Sequence, residues 1–435
     1  MDTVSTAPEI ASATAAVPAP RPGRPAGTAL PAAGAAHPAV GAATALLDAY
    51  TPGARFLATP TRTLLSDGPA REVPHGEAPL SERVADTLAA ARRDGQPRPV
   101  VIGAVPFDQS APAALAVPEF VQDGPPLAND PLIALPADLP TAATWQVRPV
   151  PEPEVYGAGV AAVVERMWRG EFSKVVLART LELTADAPLD LPVMLQRLAR
   201  RDPSGYTFAL PTGVEADGAV RTGEGRTLLG ASPELLVSRR GNKVVANPLA
   251  GSTPRSEDLA EDVRRAAALL ASAKDLHEHA VVVDAVHGAL APYCTALDVP
   301  AKPTLIRTAT MWHLSTTVTG TLPEEGAASA LELASALHPT PAVCGTPTLT
   351  ARQVIAETEP FDRGFFTGMI GWGDADGDGE WVVTIRCAEA EERMLRLYAG
   401  AGVVAASEPE AETAETGAKF RTFLHAVGAD EGSRG

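Results

Sequence analysis

A succession of short apolar runs, the first of them rich in β-branched residues, restricts the possible fold more than any other feature. KVVLARTLEL (174–183), TFALP (207–211), RTLLGAS (226–232), ELLVSRR (234–240) and NKVVANPLAG (242–251) follow one another along the chain. Branching at Cβ costs rotamer freedom in a helix but packs well on a pleated surface, so these runs read as strands. Two later blocks, GMIGWGDADGDGEWVVTIRCAEA (368–390) and RMLRLYAGAGVVAAS (393–407), read as hairpins. Helical patterns stand apart from them. One covers roughly 154–170, where Val160, Val163, Val164 and Met167 share a face. A long one runs from about Ser256 to Pro292, and a last one from about Pro409 to Val427. Hairpin-linked strands with segregated helices predict an α+β fold with mainly antiparallel sheets.

Upstream, RPVVIGAVPFD (98–108) reads as a buried strand, and the Pro-rich stretch 120–150 as an irregular connection. Residues 1–41 are mostly Ala, Pro, Gly and Thr. They cannot bury enough apolar area to offset their ordering entropy, so a disordered tail is expected. The expected division is that tail, an N-terminal part of the fold over 42–150, a larger region over 151–428, and a disordered end at 429–435.

The balance of 36 basic against 53 acidic residues, a formal charge of -17, argues against a nucleic-acid partner, which needs a basic footprint. An acidic protein that takes an acidic substrate must gather cations locally or recruit a metal. Cys294, Cys344 and Cys387 are far apart and form no CxxC pair, which suggests neither a disulfide framework nor a zinc knuckle and fits a reducing cytoplasm. The first residues have no basic, leucine-rich leader, and no stretch of eighteen apolar residues suggests a membrane span.

Three patterns imitate chemistry. DADGDGE (374–380) resembles the start of a calcium loop, but its twelfth position is Ile385 where a bidentate Glu is required, so a solvated turn is expected. His277 and His279 lie two apart on a helix and point to different faces, unlike a zinc pair four apart. Gly223, Gly225 and Gly230 lack the Lys-Ser/Thr of a phosphate loop and read as turn residues ahead of a strand.

The blocks FSKVVLART, LLGASPELLVS, ANPLAGSTPR, KDLHEHAVVVDAV, HLSTTVTGTL, HPTPAVCGTP, EPFDRGFFTGMIGW, EWVVTIRCA and YAGAGVVAAS, with ETGAK beyond, together resemble the chorismate-utilising enzymes. They come in that family's order over about residues 154–425. Within it the likeness is to isochorismate synthases of the siderophore-pathway type, and IGAVPFD agrees. It thins before residue 95. The resemblance implies two stacked, mainly antiparallel β-sheets flanked by helices. It also implies a cytoplasmic isomerase that interconverts chorismate and isochorismate with Mg2+ as cofactor. Chorismate would be the small-molecule partner, and a monomer is expected. Salicylate synthase activity and a menaquinone-pathway synthase remain the alternatives, with ammonia-dependent relatives behind them.

Making isochorismate requires a base, an acid and positive charge for two carboxylates. By the resemblance Lys174 is the water-activating base. It opens an apolar strand, an awkward place for an ammonium, where desolvation favours the neutral amine. Glu234 in GASPELL is the general acid, which apolar walls would keep protonated. Glu278 and Glu415, far apart in sequence, would hold magnesium, a cation that takes few carboxylates and keeps several waters; Glu412 could join through water. Lys419, one turn after Glu415, is placed at the substrate carboxylate, and Arg386, closing WVVTIR, would fork onto the pyruvyl carboxylate. Gly251, Ser252 and Gly400 would let backbone N–H groups approach the ligand. His313 would stand near the reacting ring edge, with a packed core histidine as the rival reading. Ala342, where ammonia-using relatives commonly carry threonine, would leave room for water.

Overall fold

The computed structural model describes residues 39–135, 144–213 and 225–429. Most of the expected tail, Gly223 and residues 430–435 lie outside them.

Two large sheets carry the fold, and every strand pair in them is antiparallel. The first runs Gly345–Thr346, Lys174–Ala185, Met394–Val404, Cys387–Glu391, Arg226–Ser232, Tyr206–Pro211, Arg55–Ala58, Thr63–Ser66 and Gln122–Gly124, with Trp145–Val150 also paired to Lys174–Ala185. The second runs Ala296–Asp298, Val318–Thr321, Lys243–Ala246, Leu235–Arg240, Gly379–Val383, Met369–Asp374, Val100–Val105, Ala114–Pro118 and Ala70–Glu72. A small third sheet joins Leu249–Pro254, Met311–Ser315 and Thr304–Arg307.

The inner faces close on each other: Leu57, Phe208 and Leu228 of the first sheet meet Ile102, Ile370, Trp372 and Val382 of the second. Helices cover the outer faces. Leu195, Leu198, Phe420 and Phe423 pack on Leu183, Leu395 and Leu397. On the second sheet, Val84, Leu88, Val286 and Leu331 pack on Val101, Val237 and Trp381. The helix Pro153–Trp168 buries Val160, Val163, Val164 and Met167, the face its spacing predicts, against Val175 and Leu177. The result is the expected α+β arrangement of two stacked antiparallel sheets between helical layers. Among the described residues no helix is long and apolar enough to cross a membrane.

Several local expectations change. The long helix predicted from Ser256 to Pro292 is two helices, Leu259–Ala271 and Ala273–Leu290. Ser272 breaks it: its backbone is extended and its hydroxyl accepts the N–H of Asp275, as an N-cap does. RMLRLYAGAGVVAAS holds one long strand, Met394–Val404, and no hairpin. Gly230 lies inside a strand, because the space for its Cβ is taken by Phe208 at 2.6 Å and by the Arg386 carbonyl at 2.7 Å. Among its described residues the connection at 120–150 contains two strands and two 3-10 turns, and a helix at Leu191–Arg201 was not anticipated. DADGDGE joins Met369–Asp374 to Gly379–Val383 as a turn, with Asp374 accepting the N–H groups of Asp376 and Asp378. Ile385 lies beyond the second strand, not inside it.

Twice the chain passes from one sheet to the other at neighbouring points. Ser232–Glu234 leads from the first sheet to the second, and Thr384–Arg386 leads back. Hydrogen bonds stitch the two crossings together: Val383 N–H donates to the Glu234 carbonyl (3.1 Å), Ser232 Oγ to the Val383 carbonyl (2.7 Å), and Ala231 N–H to the Arg386 carbonyl (3.1 Å).

Candidate active site

A cleft of about 840 Å3, its open mouth included, lies beside these crossings. Ten of the residues singled out from sequence line it: Glu234, Gly251, Ser252, Glu278, His313, Ala342, Arg386, Gly400, Glu415 and Lys419. Lys174 stands behind Glu278, only 3% exposed, and donates from Nζ to Glu278 Oε1 at 2.7 Å.

Glu234 ends the first crossing and is also 3% exposed. Burial pushes its carboxyl up to about 7; the Leu249 N–H (3.4 Å) and the charges of Lys174, Arg386 and Lys419 only partly offset that. Such a group holds a proton near neutral pH and can give it away. Arg386 does not close a strand, as sequence suggested. The strand stops at Val383, and Arg386 sits on the second crossing with φ +51°, a left-handed conformation costly for a residue with a Cβ. Burial lowers its guanidinium to about 10, still charged at neutral pH, and one of its terminal nitrogens is buried without a partner.

His313 is paired in register with Ser252 across the small sheet. It is buried, its Nε2 has no partner, and desolvation, helped by Arg386 and Lys419, holds it well below the ordinary histidine pKa, hence neutral. Two buried, unsatisfied polar groups at one cleft point to a ligand that would complete them. A packed core histidine with both nitrogens satisfied is what His279 is instead, held by the Ala250 carbonyl and Thr316 Oγ1.

The helix Ala273–Leu290 brings Glu278 to the cleft and the helix Pro409–Val427 brings Glu415. Glu415 accepts from Lys419 Nζ at 2.6 Å and from Ser252 Oγ at 3.3 Å. Burial would raise its carboxyl, but Lys419, Lys274 and Ser252 outweigh that and hold it below the ordinary value. Lys419 also donates to the Gly400 carbonyl at 2.8 Å, so it is the carbonyl of Gly400, not its N–H, that is engaged. Gly251 is required by its backbone (φ +78°) and by Asp275, whose Cβ would lie 3.0 Å from an added Cβ.

Sequence reasoning missed Asp275, Lys274 and Gly402, all of which line the cleft. Asp275 is raised by burial and further by the charges of Glu278 and Glu415, against the pull of the Ser272 hydroxyl and Lys274. Gly402 makes the Lys174–Glu278 contact possible. A Cβ there would fall 2.7 Å from Glu278 Oε1 and 3.3 Å from Lys174 Cε. Glu412 does not line the cleft; it is buried and held by Lys274.

This donor set suits a hard divalent cation. Glu278, Glu415 and Asp275 supply oxygen only, and their like charges raise Asp275. Among the described residues, no three His, Cys, Asp or Glu side chains converge closely enough to enclose a metal by themselves. Glu278 and Glu415, which both line the cleft, are the side chains that could hold such an ion, with Asp275 beside them.

The sequence profile of the chorismate binding enzyme family matches residues 134–428. The isochorismate synthase DhbC of Bacillus subtilis (strain 168) is 56% identical over 390 residues, covering 88% of this chain and 96% of that protein. This is more than the chain holds from residue 95 onward, so the likeness reaches further upstream than the motifs suggested. Isochorismate synthase EntC of Escherichia coli (strain K12) is 39% identical over 388 residues, covering 87% and 95%. Among solved structures, a putative 2,3-dihydroxybenzoate-specific isochorismate synthase, DhbC from Bacillus anthracis, superposes with a TM-score of 0.81 at 49% identity, covering 89% of this chain and all of that one. With the sheets, the cleft and the motif order in agreement, this chain belongs to the chorismate binding enzyme family.

Proposed function

We propose that the protein is a magnesium-dependent isochorismate synthase of the siderophore-pathway type, a cytoplasmic and monomeric isomerase. The observation that carries the reading is one cleft in which a carboxyl poised near pH 7, Glu234, meets the Lys174–Glu278 pair and the unpartnered nitrogen of Arg386. The kinship with DhbC and EntC supports the same reaction and the siderophore assignment.

In the forward direction water adds at C2 of chorismate and its proton passes to the Lys174 amine. The ring double bonds shift, and the C4 hydroxyl leaves as water with the proton of Glu234. Arg386 holds the pyruvyl carboxylate with a charge-assisted pair, and Lys419 faces the ring carboxylate. Neutral His313 lends a hydrogen bond to the substrate without adding charge. In the structure Lys174 Nζ is engaged by Glu278 at 2.7 Å, and that contact must open before the amine can face the attacking water. Glu278 and Glu415, with Asp275 near, would hold the ion. When bound, magnesium would supply positive charge for the ring carboxylate.

The test is product analysis after incubation of the pure protein with chorismate and magnesium. Isochorismate alone is expected. Salicylate and pyruvate formed without an added lyase, or an aminated product when ammonia is supplied, would overturn the assignment.

A further inference from the structure

Three ammonium groups stand at the cleft, and each is held by a different carboxylate: Lys174 by Glu278 at 2.7 Å, Lys419 by Glu415 at 2.6 Å, and Lys274 by Glu412 at 3.3 Å. The first two belong to the reaction proposed above. Lys274 has no part in it. It lies on the first turn of Ala273–Leu290, just past the break at Ser272, and lines the mouth of the cleft. Its side chain is 43% exposed, while that of Glu412 beneath it is 3% exposed.

Lys274 is also the cation with the widest reach. Glu412 holds it directly, and Glu278, Asp275 and Glu415 lie within reach of its charge. Glu412 and Glu415 lie three residues apart on one helix and repel each other, an effect that adds to the burial that raises Glu412. Without a metal, something positive must stand near them. Lys274 does so through one long contact, with open solvent on its other side.

We propose that Lys274 is an exchangeable internal counter-ion, occupying the acidic cluster until a divalent cation enters and then swinging off Glu412 into solvent. The inference rests on the magnesium reading above. A dication beside Glu415 would share its carboxylates with a like charge, and of the three lysines only Lys274 has a half-exposed path away. Lys274 is therefore a positioning residue that sets metal affinity, not a catalytic one.

Two measurements test this without reference to turnover. Calorimetric titration of the wild-type protein and the Lys274→Met variant with magnesium chloride should give about tenfold tighter binding in the variant, since a competing unit charge a few ångströms away is gone. In the wild type, acetic anhydride labelling read by mass spectrometry should modify Lys274 severalfold faster with magnesium than without, while exposed Lys302 stays constant. The labelling needs no variant and so stands even if Lys274→Met folds poorly. Unchanged or weaker magnesium binding in a folded variant, or labelling of Lys274 that does not rise, overturns the counter-ion role and leaves the magnesium reading intact. A wild-type protein that binds no magnesium overturns both.

Discussion

Replacing Glu234 by Gln should stabilise the protein above neutral pH while abolishing its activity. The carboxyl is fully buried beside the sheet crossings, and burial moves it from 4.5 to about 7. Below about pH 4.5 both folded and unfolded chains keep this proton, and the group costs nothing. Between about 4.5 and 7 the unfolded chain sheds the proton while the folded one retains it. Stability therefore falls as pH rises, and above about 7 the whole penalty is present. The difference is worth roughly 3 kcal/mol. Gln keeps the shape, and its carbonyl oxygen can still accept the Leu249 N–H, but it never ionises. With an unfolding entropy of about 2.1 cal/mol/K per residue, a 435-residue chain should gain roughly 3–4 °C in Tm from that amount. Thermal unfolding of wild type and Glu234→Gln, followed by circular dichroism at pH 5 and pH 8, reads this directly. A gain at pH 8 that shrinks to about a quarter at pH 5 is expected. Equal shifts at both pH values, or a loss at pH 8, would refute the argument that desolvation raises this carboxyl.

Lys174→Ala should leave the fold intact and reduce chorismate turnover to background, seen by product chromatography. Arg386→Ala removes a charge-assisted contact of about 1.5–3 kcal/mol, so KM for chorismate should rise roughly 10- to 150-fold, measured by steady-state kinetics. Alanine keeps the Cβ, so the left-handed strain at this position stays and the variant gains no stability from its relief. Gly402→Ala forces Glu278 Oε1 from its place 2.7 Å away and should cut kcat at least about tenfold with little change in Tm. Wild-type kcat/KM should decline as pH rises through about 7, as Glu234 loses the proton it must donate; a profile flat from pH 6 to 8 would count against its acid role.

Much of the fold was legible because its elements announce themselves locally. The strand Arg226–Ser232 and the helix Pro409–Val427 have the bounds expected from sequence, the first from a short apolar run and the second from the proline at its start. What escaped depends on tertiary contact or on a weak local mark. Nothing in LLASAKDLHEH resembles a helix break except Ser-x-x-Asp, and an apolar period continues across it, so Ser272 went unread. WVVTIR looks like one strand to its end, yet the chain leaves the sheet after Val383, because Arg386 belongs to a crossing that no glycine or proline marks. The cleft residues were legible through motif order, not spacing: nothing local says that Glu278 and Glu415 line one cleft. Gly402 escaped for the same reason, since its lack of a Cβ matters only against a carboxylate from another element.

The side-by-side crossings have a further consequence. Glu234 and Arg386 ride on backbone segments laced to each other, so hydrogen bonds fix their separation while both segments span, and move with, the gap between the two sheets. Thinning the filling between those sheets, for instance at Phe208 or Trp372, would let the layers settle closer and carry both groups out of alignment together. Catalytic rate in this molecule should therefore act as a gauge of sheet separation, sensitive to side chains that never touch the substrate.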